Sequence, residues 1–275
     1  MSETQPSSHP TFNRPALHLV YASADLPMPG KENLAARIPH IDGQDGVSIE
    51  WKQQDPQHCL GSARLGEHHL FIVGMAMPLP LETTDQTVMV SPWGAQTKAA
   101  MRQHRSQIGL VYLGRHPDPI EQMVALYSLA SAFANEDLLG IVNFNAWTAH
   151  PPADFLSQDR ISRFRQEIPF NLWFGYVRFY TDHQSYWLVT KGHHIFDVPD
   201  LAYFVQPGED EEAVIDLLIN VFYYLYEEDV VAAAGDTLEL SGTRQKLRFT
   251  EVTELTDDLM GPSGTLVIAK DNNGD

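Results

Sequence analysis

The 275-residue sequence has little of what functional assignments usually rest on. Its single cysteine, Cys59, excludes an intramolecular disulfide and a four-thiolate zinc site, and is typical of a reducing compartment. No apolar run approaches the about 20 residues that span a bilayer, and the first residues lack the basic region and apolar core of a signal peptide. We therefore expect a cytoplasmic protein without a membrane segment.

Motifs that identify enzymes are also missing. The chain has no glycine-rich dinucleotide-binding turn, no phosphate loop ending in Gly-Lys-Ser/Thr, no His-Glu-x-x-His and no Gly-x-Ser-x-Gly elbow. The neighbours of Cys59 offer nothing specific to lower the pKa of its thiol, which predicts an inert side chain. The sequence thus predicts no catalytic residue, no metal ligand and no cofactor.

Positive charge is scarce, and the net charge is −18. A chain this acidic repels nucleic acid and anionic membrane, so neither is an expected partner. From Leu201 onward there are 16 acidic and 4 basic side chains, which places −12 of the −18 in the last quarter. Two interpretations stay open: a solvated surface that promotes solubility, or a docking face for a basic protein partner.

What is present is the composition of an ordinary globular protein, with 43% hydrophobic and 20% charged residues. Apolar periodicity predicts an α+β fold in two halves, each with a mixed or antiparallel sheet packed against one or two helices. We expect a flexible tail over residues 1–15, an α/β-like domain over 16–150, a linker over 151–172 and an α+β domain over 173–270.

In the first half, the pattern predicts a hairpin turn at Gly66-Glu67 and a helix that begins at Asp118-Pro119. Apolar strands at 108–113 and 138–144 flank that helix. A strand, helix and strand in this order usually form a right-handed crossover between parallel paired strands, so we expect these two strands to pair.

In the second half, the strongest helix of the chain is predicted over about 209–228, after strands near 173–181, 185–190 and 200–205. Acidic residues fill its first turn, where the helix dipole favours them. Glu227, Glu228 and Asp229 crowd the other end, where the dipole disfavours negative charge. A violation of a local rule can mark a functional site, so these three are candidate partner-binding residues.

A second candidate site lies past the end of the 138–144 strand. Asn143, Asn145, Trp147 and His150 alternate there. Ligands of open α/β sheets bind beyond the carboxyl ends of strands, which predicts a small-ligand cleft. The alternative is that these side chains tie down a loop, as asparagine commonly does.

The run Thr190-Lys191-Gly192 to Phe196, Pro199 and Asp200, followed by the long helix and Gly235-Asp236-Thr237, resembles an uncharacterised bacterial family, domain of unknown function 4261. Asp197 stands where that family usually has glycine, and Asp200 where it usually has glutamate. The resemblance is best over about 173–255. It implies a bacterial cytosolic α+β protein and brings no catalytic residues with it.

Two functional hypotheses follow. The first is an acidic protein-binding module, an inhibitor or immunity-type protein for a basic partner, which uses the cluster Glu227–Asp229. The second is a small-ligand-binding protein or enzyme that uses the Asn143–His150 strand end, with His193 and Asp197 as further candidates. The oligomeric state is not predictable from the sequence.

Overall fold

The computed structural model describes residues 14–40, 46–239, 246–253 and 259–270, so the predicted tail lies almost entirely outside the described residues. The described residues form thirteen strands and seven α-helices. The strands are β1 (Ala16–Tyr21), β2 (Ser48–Gln54), β3 (His58–Leu65), β4 (His68–Met75), β5 (Ser106–Tyr112), β6 (Leu138–Asn143), β7 (Thr148–His150), β8 (Gly175–Tyr180), β9 (Tyr186–Lys191), β10 (Asp200–Val205), β11 (Thr237–Glu239), β12 (Lys246–Thr250) and β13 (Thr265–Lys270). The α-helices are α1 (Lys31–Arg37), α2 (Leu81–Val90), α3 (Ala95–Arg102), α4 (Pro119–Ala132), α5 (Gln158–Arg163), α6 (Phe170–Trp173) and α7 (Glu211–Glu227).

The first half folds into a seven-stranded sheet with the order β2-β3-β4-β5-β1-β6-β7, in which all neighbours are antiparallel. The predicted hairpin joins β3 to β4, and Gly66 takes a positive φ of 57° in its turn. The expected pairing of the strands on either side of α4 is wrong. β5 and β6 run parallel, but β1 lies between them and forms hydrogen bonds with both.

Helices cover both faces of this sheet. Leu17 and Leu19 of β1 join the main core, to which α4 contributes, whereas Val20 joins a smaller cluster with Val88 of α2 and Met101 of α3. Because successive strand residues point to opposite faces, α4 and the α2–α3 pair lie on opposite sides of the sheet. Asp118 caps α4 as predicted, accepting a 2.8 Å hydrogen bond from the Ile120 amide.

The second half contains a six-stranded mixed sheet with the order β11-β12-β13-β10-β9-β8, in which only β10 and β13 pair in parallel. α7 packs its apolar stripe, centred on Phe222, against one face of this sheet. Val189, Ala202 and Val267 form a small cluster on the other face. With two sheets and their covering helices, the fold is α+β, as the sequence predicts.

One hydrophobic core runs through both halves. It contains Leu126 and Tyr127 of α4 together with Trp173, Phe174 and Phe222 from the second half. The stretch 151–172, which the sequence marks as a linker, contains α5 and part of α6. Within it the side chains of residues 155, 161 and 164 are buried in that core. None of the helices formed by the described residues is long and apolar enough to cross a membrane.

Candidate functional site

A groove of about 950 Å³ opens where the amino-terminal end of α4 meets the carboxyl-terminal end of α7. Its other walls are the loop between β9 and β10 and the loop that leads into β13. The lining consists of residues 117–119, 196–199, 225–226, 229–232, 251–252 and 263–266, with Ala234 and Met260. Segments far apart in the sequence, from both halves of the chain, thus build one concave surface.

The groove is acidic and partly apolar. Asp118, Asp197, Asp229 and Glu251 line it, and none of its described lining residues is lysine or arginine. Exposed apolar side chains stand among these carboxylates: Val231 is 92% exposed and Met260 is 40% exposed. Because exposed carboxylates attract cations and exposed apolar side chains gain from burial, this surface suits a ligand that is basic and apolar at once.

Two of the groove carboxylates stand on unusual backbone. Asp197 has a φ of 56° and Asp229 a φ of 50°, and among the described non-glycine residues only Trp147, at 48°, shares this left-handed conformation. Glycine adopts such a conformation at the least cost, although aspartate tolerates it. This explains why glycine suits position 197 in the resembling family. Backbone strain of this kind clusters at functional sites.

Asp229 acquires its conformation by ending α7. The amide of Val230 donates a 3.0 Å hydrogen bond to the Leu225 carbonyl, which closes the last turn as glycine-terminated helices do. Of the three residues predicted to bind a partner, Asp229 lines the groove, whereas Glu227 and Glu228 are exposed outside it. Among the described residues, no lysine or arginine forms a salt bridge with any of the three. Their role in partner binding stays a prediction.

Tyr226 fixes the floor of the groove. Its ring stacks on Phe222 with 5.6 Å between centroids, and its hydroxyl forms a hydrogen bond with Asp118. Burial, together with the Asp118 charge, raises the pKa of this phenol to about 12. Asp118 also caps α4, so this carboxylate is held from two sides and contributes a fixed negative charge to the groove.

The predicted ligand-binding residues lie on the β6–β7 hairpin: Asn143 ends β6, Asn145 and Trp147 lie on the turn, and His150 ends β7. The Asn143 side chain accepts a 3.1 Å hydrogen bond from the Asn145 amide, which ties the turn together. His150 is fully buried, its Nε2 lies 3.0 Å from the Tyr127 hydroxyl, and burial lowers its pKa to about 3. The structure thus directs His150 into the core, away from Asn145 and Trp147.

Asn145 and Trp147 instead face the second half. Nδ2 of Asn145 lies 3.5 Å from Nε2 of His194, and the Lys191 ammonium lies 5.2 Å from the centre of the Trp147 ring. A crevice beside Asn143 and Asn145 has no space for a water-sized molecule. Ligand binding by the four residues of this turn stays a prediction.

A buried ion pair, which no sequence pattern indicated, lies against the loop that leads into β13. In the register that pairs Ala202 with Val189, Lys191 of β9 stands opposite Asp200 of β10. Their side chains are 4% and 1% exposed, and Nζ lies 3.6 Å from Oδ2. Burial lowers the pKa of Lys191 and raises that of Asp200 to about 7. Two charged residues at facing strand ends are the only sequence signal, and it requires knowing that β9 and β10 pair.

The residues considered for a metal or a nucleophile do not form a reactive site. Among the described residues, no group of three or more histidine, cysteine or acidic side chains is placed to hold a metal ion. Of the two further candidates for the second hypothesis, His193 is buried and Asp197 faces the groove. Cys59 is buried, and that burial raises the pKa of its thiol to about 11, which suppresses the reactive thiolate.

Comparison with known proteins agrees with the sequence resemblance. A family model described as "Domain of unknown function (DUF4261)" matches residues 189–269. The match covers less than a third of the chain and begins within β9. It includes the buried ion pair, α7 and most of the groove lining, but not the part contributed by residues 117–119. No curated protein and no solved structure matches the chain significantly.

Proposed function

We propose that the protein is a binding module that holds a basic, partly apolar segment of a protein partner in the groove between α4 and α7. The observation that carries this proposal is the composition of the groove. Four carboxylates and two well-exposed apolar side chains share one concavity, and its described lining includes no lysine or arginine. Cationic side chains of a partner complement the carboxylates, and its apolar side chains cover Val231 and Met260.

The charge of the whole chain supports the same partner. The field of −18 net charges, concentrated in the last quarter of the sequence, speeds the encounter with a basic protein. Each exposed ion pair contributes only about 0.2–1 kcal/mol, so the four groove carboxylates alone give weak binding. Burial of apolar surface, at about 25 cal/mol per Å², supplies the remainder. Binding therefore needs both kinds of side chain in the partner.

Within this proposal, the role we favour is that of an inhibitor or immunity-type protein in the cytoplasm. A groove that neutralises a basic segment also masks it from that segment's own substrate. Substrates of basic enzymes are often polyanions, which depend on the same cationic side chains. An acidic module that covers those side chains competes directly with such a substrate.

The test is a titration with labelled synthetic peptides that alternate lysine and leucine, lysine and serine, or glutamate and leucine. We expect only the lysine–leucine peptide to bind well. The double variant Asp197→Asn/Asp229→Asn should weaken its binding by about tenfold at low salt, since two exposed charge contacts are lost. The matched control is Glu67→Gln/Glu82→Gln, which removes the same charge from exposed positions that do not line the groove and should change affinity by less than about twofold.

Three outcomes contradict the proposal. Equal weakening by both double variants would mean that the general negative field, rather than the groove, binds the peptide. Unchanged affinity in the Asp197/Asp229 variant would show that the groove is not the site. If the lysine–serine peptide bound as tightly as the lysine–leucine peptide, apolar side chains of the ligand would contribute nothing to binding. The same pair of variants, used as baits in a cell lysate at low and high salt, then identifies which captured protein depends on the groove.

A further inference from the structure

We infer that the buried pair Lys191–Asp200 positions two walls of the groove and so determines its affinity for the basic segment, without either side chain touching that segment. This inference rests on the proposed function. The pair lies on the face of the second sheet that carries Val189 and Ala202, directly beneath the two loops that form those walls.

The first wall is the loop before β13, which contributes Met260, Ser263 and Gly264 to the groove. The Lys191 ammonium donates a hydrogen bond to the carbonyl of Leu259, the residue next to Met260. Asp200 holds the other end of this loop, because its amide donates a 3.0 Å hydrogen bond to the Gly264 carbonyl. The Lys191 side chain thus holds the loop at the end next to Met260, and the backbone of Asp200 holds the other end.

Between these ends the loop presses against the carboxylate itself. A Cβ atom at Gly261 would lie 2.3 Å from Asp200 Oδ2, so only glycine allows this approach. The Gly261 amide donates a 3.0 Å hydrogen bond to Oγ1 of Thr265, and the Gly264 amide donates one of 3.0 Å to the Gly261 carbonyl. The conformation of this loop therefore depends on the position of Asp200 Oδ2.

The second wall is the segment 196–199, which contributes Asp197. Asp200 Oδ1 accepts a 3.2 Å hydrogen bond from the amide of His193, at the start of the 3₁₀ turn His193–Phe196. The His193 carbonyl in turn accepts a 3.3 Å hydrogen bond from the amide of Val198. The Asp200 carboxylate therefore supports the backbone on both sides of Asp197.

Geometry of this kind favours positioning over stability as the role of the pair. Oδ2 of Asp200 is buried without a hydrogen bond from any residue that the structure describes, since 3.6 Å is too long for one with Lys191. A buried ion pair with an unsatisfied oxygen adds little stability compared with apolar side chains of similar volume. The pair instead fixes the positions of two backbone groups. The ammonium binds the Leu259 carbonyl, and the carboxylate binds the His193 amide.

The charge on this pair also depends on pH within the working range of a cell. The charged and titratable groups around Asp200 are Lys191 on β9 and His193 and His194 on the 3₁₀ turn; the described residues of the loop, 259–264, include none. Burial lowers the pKa values of His193 to about 3 and His194 to about 4, so both imidazoles are neutral near pH 7. Asp200 alone in this group gains a proton as the pH falls below about 7.

The experiment uses the lysine–leucine peptide with the full chain carrying Lys191→Met, Asp200→Asn or both changes. We expect each single variant to weaken peptide affinity by about tenfold, although every groove-lining side chain is retained. In the wild type, affinity should fall between about pH 8 and about pH 6, and the Asp200→Asn variant should lose this dependence. Tyr127→Phe, which removes a buried hydroxyl away from the groove, is the matched control and should leave both affinity and its pH profile unchanged.

Each result separates this inference from the proposed function. Wild-type affinity and pH profile in all three variants, with binding still dependent on Asp197 and Asp229, would overturn the inference alone. Binding that does not depend on Asp197 and Asp229 would overturn the proposed function. If a single variant fails to fold, the double variant, in which no unpaired charge is left buried, carries the test.

Discussion

The two ends of α7 carry similar clusters of acidic residues with opposite surroundings. At the amino-terminal end, Glu209 accepts hydrogen bonds from Lys270, Tyr203 and the Gln206 amide, and Glu211 accepts them from Arg178 and Tyr186. At the carboxyl-terminal end, Glu227, Glu228 and Asp229 are exposed, and among the described residues no lysine or arginine pairs with them. The carboxylates at the amino-terminal end are therefore used in contacts within the fold. Those at the carboxyl-terminal end can contact solvent or a partner.

This difference shows that charge density in a sequence does not reveal what the charge does. Asp210, which caps α7 by accepting a 3.1 Å hydrogen bond from the Glu212 amide, and its neighbours sit where the helix dipole is favourable. Asp229 sits where both the dipole and the backbone conformation are unfavourable. The acidic residues at the amino-terminal end are explained by folding. Those at the carboxyl-terminal end are not, and of these three the groove accounts for Asp229 alone.

The largest effect on stability should come from the amino-terminal cluster. Glu211→Ala removes two hydrogen bonds with the Arg178 guanidinium and one with the Tyr186 hydroxyl, and should lower the free energy of unfolding by about 1–2 kcal/mol, moderated by partial exposure. Glu227→Ala should change it by less than about 0.5 kcal/mol. Urea unfolding of the two variants makes the comparison, and equal losses would refute the distinction between the two ends.

A smaller effect appears as acid sensitivity. The hydrogen bond with Arg178 lowers the pKa of Glu211, so the stability this carboxylate contributes is present above its ordinary pKa of 4.5 and is lost as the pH falls through the lowered value. The difference in unfolding free energy between wild type and Glu211→Gln should therefore shrink as the pH falls below the ordinary pKa of 4.5. Urea unfolding of the two proteins across this pH range makes the measurement, and a difference that does not shrink would contradict a stabilising role for the ionised Glu211.

The smallest expected effect is an increase, rather than a decrease, in the free energy of unfolding. Asp229→Gly places glycine in a left-handed position at a helix terminus and removes a charge that the dipole disfavours, so it should raise the free energy of unfolding by about 0.5 kcal/mol. The same change should weaken binding of the lysine–leucine peptide. Urea unfolding and peptide titration of this variant test both expectations. A decrease in the free energy of unfolding would show that Asp229 stabilises the fold.

Much of the fold is predictable from local sequence patterns, and the elements that are not predictable have identifiable physical reasons. α4 and α7 are predictable because caps and apolar periodicity agree. α2 is not, because Thr83, Thr84 and Thr87 interrupt any apolar stripe and the helix has no side-chain cap. Buried threonines instead bond backwards along that helix, Thr84 to the Pro80 carbonyl and Thr87 to that of Thr83.

The site is less predictable than the fold. The acidic cluster at the end of α7 is visible as a violated rule, yet the sequence does not distinguish Asp229 from Glu227 and Glu228, since only the backbone direction after the helix turns one of them into the groove. Asp118 and Asp197 come from distant segments that meet through tertiary packing. The pairing of Lys191 with Asp200 depends on strand register, which no local pattern specifies.

The central place of β1 in the first sheet has a consequence for how the protein is made. This strand is synthesised before both of its neighbours, β5 and β6, which end at Tyr112 and Asn143. During synthesis one edge of β1 therefore stays unpaired for about 90 further residues, until β5 is complete, and the other for about 120, until β6 is complete. Pairing between strands so far apart in sequence slows folding and leaves the apolar β1 segment accessible to chaperones. The β2-β3-β4 meander, in contrast, forms from strands that are neighbours in sequence.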